Sequence, residues 1–332
     1  MDNSGDSKKR IEHIDFLKVI GIICIMIAHV NPPDWVLMIR NFDVQLLVII
    51  SSMLARKSYE RYIAKGEPAL KFLTNRVKRL VYPTWIFLII YFIFIFLFTN
   101  EKYGKKYYIY SFLFTRYGIG YVWIILIYLY VALYIPLFYK VKNKKYTWAI
   151  IFFVYALYEV FYYLSVGVNY KIIETTFYYI IPYGILAYLG FKYCDINLRI
   201  KRLIIVCSIL CYLAGFIYYY ILCGTPQNVQ LAKYPPRIYY LSYGIAVSFI
   251  LIVLCEKYVL AIYKNSVIRY ISANSLLIYL WHILILKICE KLSFPNNWIL
   301  KFVVVFSFSL IIVIIIKWIE ILIKEYRKKI VG

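Results

Sequence analysis

The chain has 332 residues, of which 64% are hydrophobic and 17% charged, and its mean hydropathy is +0.72. A water-soluble fold cannot bury that much apolar surface, so the composition excludes an ordinary soluble domain and predicts a membrane protein. The net charge of +23 does not indicate nucleic-acid binding, because the lysines and arginines cluster in short gaps between apolar segments and not on one polar face.

Ten apolar segments are candidates for crossing a bilayer, whose hydrocarbon core takes about 20 helical residues. In chain order they are residues 13–30, 43–55, 82–99, 119–139, 147–165, 176–191, 203–222, 238–255, 275–291 and 298–318. Two of them are short, so nine or eleven spans also fit the pattern. We predict an all-α fold, a polytopic transmembrane helical bundle of about ten spans, as a single domain over residues 1–332.

The distribution of basic residues predicts the orientation of these segments. If the N-terminus is inside, the inner segments hold 26 of the 39 lysines and arginines, whereas the outer gaps hold ten. Because basic residues are enriched in cytoplasmic loops, both termini are predicted to be cytoplasmic. The first apolar segment carries Lys18 and lacks a small-residue cleavage site, so it is predicted to be a retained span and not a signal peptide.

The longest inner loop, residues 56–79, contains eight basic and two acidic residues. One interpretation is an ordinary cytoplasmic anchor that touches anionic lipid. The alternative is a docking surface for an anionic donor from the cytoplasm.

The first span contains three residues that are costly inside a membrane and are therefore candidates for function, namely Asp15, Lys18 and His29. Asp15 and Lys18 are three residues apart, so they share a helix face. His29 lies about three turns further on, about 16 Å along the axis. An imidazole can accept a proton from a hydroxyl near neutral pH, and the lysine can meet a phosphate or a thioester carbonyl. The alternative is that Lys18 snorkels to the inner interface and His29 lies among the outer headgroups.

Five further residues are candidates for binding a substrate. His282 either lines the same cavity or joins two helices by a hydrogen bond, and Glu159 either orients a cationic side chain or faces water at the outer end. Trp123, Arg237 and Tyr239 lie at outer span entrances, where aromatic rings either stack on sugars or anchor the helix at the interface. The seven scattered cysteines show no metal-ligand spacing, so no metal is predicted.

Several motifs together resemble the integral-membrane acyltransferase family three. One motif consists of Asp15-Phe16-Leu17-Lys18, then ten residues, then His29. It is similar to the family's Asp-x-Leu-Arg/Lys-x10-His signature. Further similar stretches follow in the same order as in the family, and they cover most of the chain: residues 41–44 leading into Ser51-Ser52, 72–79 leading into 82–84, and 275–282.

The resemblance implies which residues carry the chemistry. His29 would be the catalytic base or acyl-handling residue, and Lys18 and Asp15 would be the other catalytic residues. Arg76 and Arg79 match an Arg-x-x-Arg pattern associated with the acyl-CoA side, and Lys18 stands where many members have arginine. Lysine lacks the bidentate fork, so its contact would be that of a point charge. Ser52 replaces a usual glycine, which affects close helix packing.

By this resemblance the chain is expected to be a bacterial, multi-pass protein of the cytoplasmic membrane. It would transfer an acyl group, usually acetyl, from acetyl-CoA to a hydroxyl of a surface polysaccharide or lipid-linked oligosaccharide. Membrane lipid is the other expected partner, and nucleic acid is not. Two alternatives are a transporter or flippase for a sugar-linked lipid, and a sensor or scaffold without catalysis. The absence of evident inverted repeats counts mildly against the transporter.

Overall fold

A computed structural model describes residues 12–164, 177–258, 261–295 and 297–331. Residues 165 and 176, at the ends of two predicted spans, and the basic residues Lys8, Lys9 and Arg10 lie outside these ranges. Thirteen α-helices occur in the described residues, together with two short 3-10 turns and no strand. The helices are α1 (Glu12–Ala28), α2 (Asp34–Ile39), α3 (Asp43–Ala64), α4 (Ala69–Phe98), α5 (Lys105–Phe112), α6 (Trp123–Lys140), α7 (Thr147–Leu164), α8 (Phe177–Lys192), α9 (Leu198–Cys223), α10 (Ile238–Lys257), α11 (Ser266–Ala273), α12 (Ser275–Lys291) and α13 (Trp298–Val331).

The all-α membrane fold is confirmed, because each of the ten apolar segments forms a helix. Among the described residues, seven helical stretches are long and apolar enough to cross a membrane, and the bent pair of α11 and α12 makes an eighth if it counts as one span. The described parts of α1 and α8 have 17 and 16 residues, somewhat fewer than the about 20 that a typical crossing takes. Ten spans and two cytoplasmic termini stay predictions.

The helix α3 lies at the centre of the bundle. Of the 18 most apolar consecutive residues in Asp34–Ala64, which contains α3, 78% are buried. In α9 only 6% of the equivalent 18 residues are buried. The helix α3 contacts α1, α4, α6, α8 and α10. Since apolar side chains on the outside of a bundle can face lipid, the apolar surfaces of α9 and α13 fit a peripheral position.

The helices α3 and α8 approach each other closely where Gly190 packs against α3. A Cβ atom at position 190 would lie 2.3 Å from the carbonyl oxygen of Ile49 and 2.9 Å from the Cβ atom of Ser52. The Ser52 hydroxyl donates a hydrogen bond of 2.5 Å to the carbonyl oxygen of Ala187. Ser52 is therefore compatible with tight packing, because Gly190 on the facing helix α8 is the small residue of this contact.

This contact predicts a loss of stability in Gly190→Ala. The added methyl group meets backbone atoms that cannot rotate away, and overpacking of this kind costs about 1–3 kcal/mol. We expect a lower midpoint of thermal unfolding in detergent. Gly104→Ala is the matched control, since an added Cβ atom has nothing within 4 Å and φ is −71°. Equal midpoints for the two variants would contradict the packing argument.

Candidate active site

A cavity of about 330 Å³ lies between α1, α3, α4, α6 and α12. Three guanidinium groups line one end of it, Arg61 from the last turn of α3 and Arg76 and Arg79 from the early turns of α4. These three arginines are called the basic mouth. Arg61 and Arg79 are exposed, so this end of the cavity is accessible. Apolar side chains, among them Ile22, Ile25 and Leu47, line the interior.

Lys18 lines the same cavity and is anchored at the end of α11. Its ammonium donates a hydrogen bond of 2.7 Å to the carbonyl oxygen of Ser272, and the Ser272 hydroxyl donates one to the Asp15 carboxylate. The carbonyl groups at a helix C-terminus carry a partial negative charge, which favours a cation there. The structure therefore brings Lys18, Arg76 and Arg79 around one cavity, whereas Asp15 contacts Ser272 beside it.

His29 and His282 form a hydrogen-bonded pair beyond the apolar interior of the cavity. The Nδ1 atom of His29 lies 2.9 Å from the Nε2 atom of His282. The ring planes are within 11° of each other and the ring centroids are 5.1 Å apart, so the imidazoles meet edge to edge and do not overlap. The ring of Tyr121 packs against His29 at 4.6 Å between centroids. His282 is fully buried and His29 is partly exposed.

Tyr279 connects the cavity with the histidine pair. Its side chain lines the cavity, its hydroxyl donates to the carbonyl oxygen of Tyr121, and its own carbonyl oxygen contacts the Nδ1 atom of His282. His29 itself does not line the cavity, but Ile25, one turn before it in the chain, does. The histidine pair thus lies next to the part of the cavity that Ile25 and Tyr279 line.

A buried ionic cluster lies near His29 on the side away from the basic mouth. Arg40 and Asp43 form an ion pair of 2.6 Å and both are buried. Lys233 is 5% exposed, and burial lowers its pKa to about 8, although the negative charge of Asp43 opposes this shift. Arg40 and Lys233 are both close enough to act electrostatically on His29.

Glu159 and Arg237 bind each other and not the histidine pair. Their charged groups lie 2.6 Å apart, and Glu159 also accepts hydrogen bonds from the Tyr155 hydroxyl and from the backbone N–H of Ile238. The carboxylate therefore caps the first turn of α10, where negative charge is stabilising. The Arg237 guanidinium packs over the ring of Tyr162 at 3.9 Å. These contacts hold α7 to the start of α10, at a distance from the cavity lining.

The two remaining aromatic candidates are packed against other rings. Trp123 lies among Tyr179, Tyr183 and Tyr234, with centroid distances of 5.6, 6.0 and 5.8 Å. Tyr239 is 2% exposed and packs against Tyr212. The structure therefore does not bring Trp123 or Tyr239 to the surface of the cavity.

Comparison with known proteins decides the family. The family described as acyltransferase domain, acyltransferase family 3, matches residues 11–318, which is most of the chain. The chain belongs to acyltransferase family 3. This confirms the resemblance that the motifs of α1, α4 and α12 indicate, and it makes the protein a membrane acyltransferase. No curated protein and no solved structure matches the chain.

The structure of this acyltransferase adds three features that the sequence motifs did not identify. Arg61 completes the basic mouth, Tyr279 connects the cavity to the histidine pair, and the Arg40–Asp43 pair lies near His29. The basic composition of residues 56–79 indicates that cations in this stretch, Arg61 among them, could bind an anion. Composition does not show which of the eight cationic side chains face a cavity. Within the described part of the chain, no three histidine, cysteine or acidic residues are grouped so that they could hold a metal ion.

Proposed function

We propose that this acyltransferase moves an acetyl group from cytoplasmic acetyl-CoA to a sugar hydroxyl of a surface polysaccharide or its lipid-linked precursor. The observation that carries the proposal is the single cavity that begins at three arginines and ends beside a histidine pair. Such a cavity suits a donor with an anionic end that stays at the mouth and a reactive acyl group that reaches inward.

The basic mouth supports a phosphorylated donor. Coenzyme A carries phosphate groups at one end and the thioester at the other. Guanidinium groups bind phosphate through paired N–H donors, and three of them converge at the accessible end of the cavity. The basic loops predict that this end faces the cytoplasm, where acetyl-CoA is available.

The inner end of the cavity supports acyl transfer by general base catalysis. In the proposed reaction, His29 removes the proton from the sugar hydroxyl and the sugar oxygen bonds to the acetyl carbon. The carbon–sulfur bond breaks, and the departing thiolate of coenzyme A takes the proton from His29. Lys18 lies about 16 Å from His29 along α1, so its proposed role is to contact a phosphate of the donor and not the reacting carbonyl.

The acceptor is proposed to reach His29 from the far side of the membrane. Arg40, Lys233 and the aromatic cluster around Trp123 lie on that side of the histidine pair by the predicted orientation. The proposed location of the protein is the bacterial cytoplasmic membrane. Capsule or another exopolysaccharide is the preferred acceptor, and lipid-linked repeat units fit the same chemistry.

The test uses purified full-length protein in lipid vesicles, with ¹⁴C-acetyl-CoA on one side and candidate glycans on the other. We expect the glycan to carry radioactive acetyl esters, and we expect alkali to release the acetyl groups from it. A transporter or a scaffold would produce no ester, and a flippase would move the lipid-linked sugar unmodified. Empty vesicles and vesicles with His29→Ala protein are the controls. If no donor and no glycan yields an ester, while the protein is folded and correctly inserted, the proposal is wrong.

A further inference from the structure

The hydrogen bonds of the histidine pair determine where the protons of the two imidazoles lie. A backbone carbonyl oxygen can only accept a hydrogen bond, so the Nδ1 atom of His282, which contacts the carbonyl oxygen of Tyr279, must carry a proton. In a neutral imidazole the other nitrogen then has a lone pair. The Nε2 atom of His282 is therefore an acceptor, and the Nδ1 atom of His29 donates to it over 2.9 Å.

The same rule applied to His29 leaves its Nε2 atom without a proton. We propose that His282 is a positioning residue which, held by the carbonyl oxygen of Tyr279, fixes the tautomer of His29 so that Nε2 is ready to accept a proton. The inference rests on the proposed function, because it assigns His29 as the base of that reaction. It gives His282 a role in preparing the base and not in binding the sugar.

The packing around the pair keeps this arrangement in place. Tyr121 lies in the segment before α6 and packs against His29 with the two ring planes inclined by 74°, and the Tyr279 hydroxyl donates to the backbone carbonyl oxygen of Tyr121. Tyr279 of α12 thus holds both Tyr121 and His282, the two residues whose rings contact His29. When Nε2 takes the proton of the sugar hydroxyl, the positive charge on His29 is stabilised through the hydrogen bond from its Nδ1–H to His282.

Nitrogen-15 NMR of histidine-labelled protein in lipid nanodiscs tests the tautomers directly. The chain has three histidines, and His13→Gln removes the only signal from outside the pair. In His13→Gln protein we expect two neutral rings, both with the proton on Nδ1, and a correlation across the hydrogen bond. A ring that carries its proton on Nε2 would overturn the inference, whether or not the protein transfers acetyl groups.

Two variants of His282 test the positioning role in catalysis. His282→Leu removes the acceptor for the Nδ1–H of His29, and we expect kcat to fall about 10²-fold while KM for acetyl-CoA changes less than about twofold. His282→Gln offers an amide oxygen as acceptor, and we expect it to recover at least tenfold of that loss. Equal rates for the two folded variants, or a fall that lies only in KM, would show that His282 does not position the base. If wild-type protein makes no ester but the NMR result holds, the proposed function fails and the tautomer assignment stands.

Discussion

His29→Ala is expected to lower the rate of acetyl transfer about 10³-fold or more and to leave the amount of folded protein unchanged. His29 is the group proposed to take the proton of the sugar hydroxyl, and general base catalysis contributes about 10²–10⁴-fold. His29 is partly exposed, so its removal leaves a small defect at the edge of the core. The measurement is the initial rate of alkali-labile ester formation in vesicles, normalised to protein recovered as a single species by size-exclusion chromatography.

His13→Ala is the matched control for this experiment. His13 lies on the same helix, in its first turn, and contributes nothing to the cavity lining or the histidine pair. We expect wild-type transfer from this variant. If His29→Ala protein transfers acetyl at the wild-type rate, His29 is not the base and the proposed mechanism must be abandoned.

The double variant Arg76→Gln/Arg79→Gln is expected to raise KM for acetyl-CoA about 10²-fold while kcat falls only a few-fold. Each hydrogen bond to a charged group contributes about 1.5–3 kcal/mol, so losing contacts from two guanidinium groups weakens donor binding strongly. The reacting acetyl group lies at the other end of the cavity, so the chemical step changes little. We also expect KM of the wild type to rise with ionic strength, and that of the variant to respond less, because salt screens exposed charges.

The chain provides a control with the same charge change and the same spacing. Arg199 and Arg202 form a second Arg-x-x-Arg pair at the start of α9, both are exposed, and neither lines the cavity. Arg199→Gln/Arg202→Gln should leave KM for acetyl-CoA unchanged. Equal increases in KM for both double variants would show that general membrane-surface charge, and not the basic mouth, attracts the donor.

The helices could be predicted from the sequence because the bilayer sets a simple requirement for length and apolarity. All ten apolar segments are helical, but several boundaries differ. The helix α4 begins at Ala69, whereas the predicted span begins at residue 82, because a helix continues past the hydrocarbon core wherever its residues favour it. Hydropathy marks the apolar window and not the end of the hydrogen-bonded helix.

The two ends of the candidate site differ in how far the sequence reveals them. Arg76 and Arg79 are neighbours on one helix and match a family pattern, so their grouping follows from local sequence. The contact of His29 with His282 joins residues separated by 253 positions, and periodicity does not show which helices pack together. The pairing of Glu159 with Arg237 is hidden for the same reason, which is why sequence alone assigned them separately to substrate binding.

The separation of the two histidines also bears on how the enzyme is made. Chains emerge from the ribosome with the N-terminal helices first, at about 5–20 residues per second. A separation of 253 positions therefore takes on the order of tens of seconds to synthesise, and during this time α1 lacks its partner in α12. A nascent chain that stops before α12 contains the complete α1 motif but no imidazole pair. The histidine pair can therefore form only after α12 has been synthesised and packs beside α1.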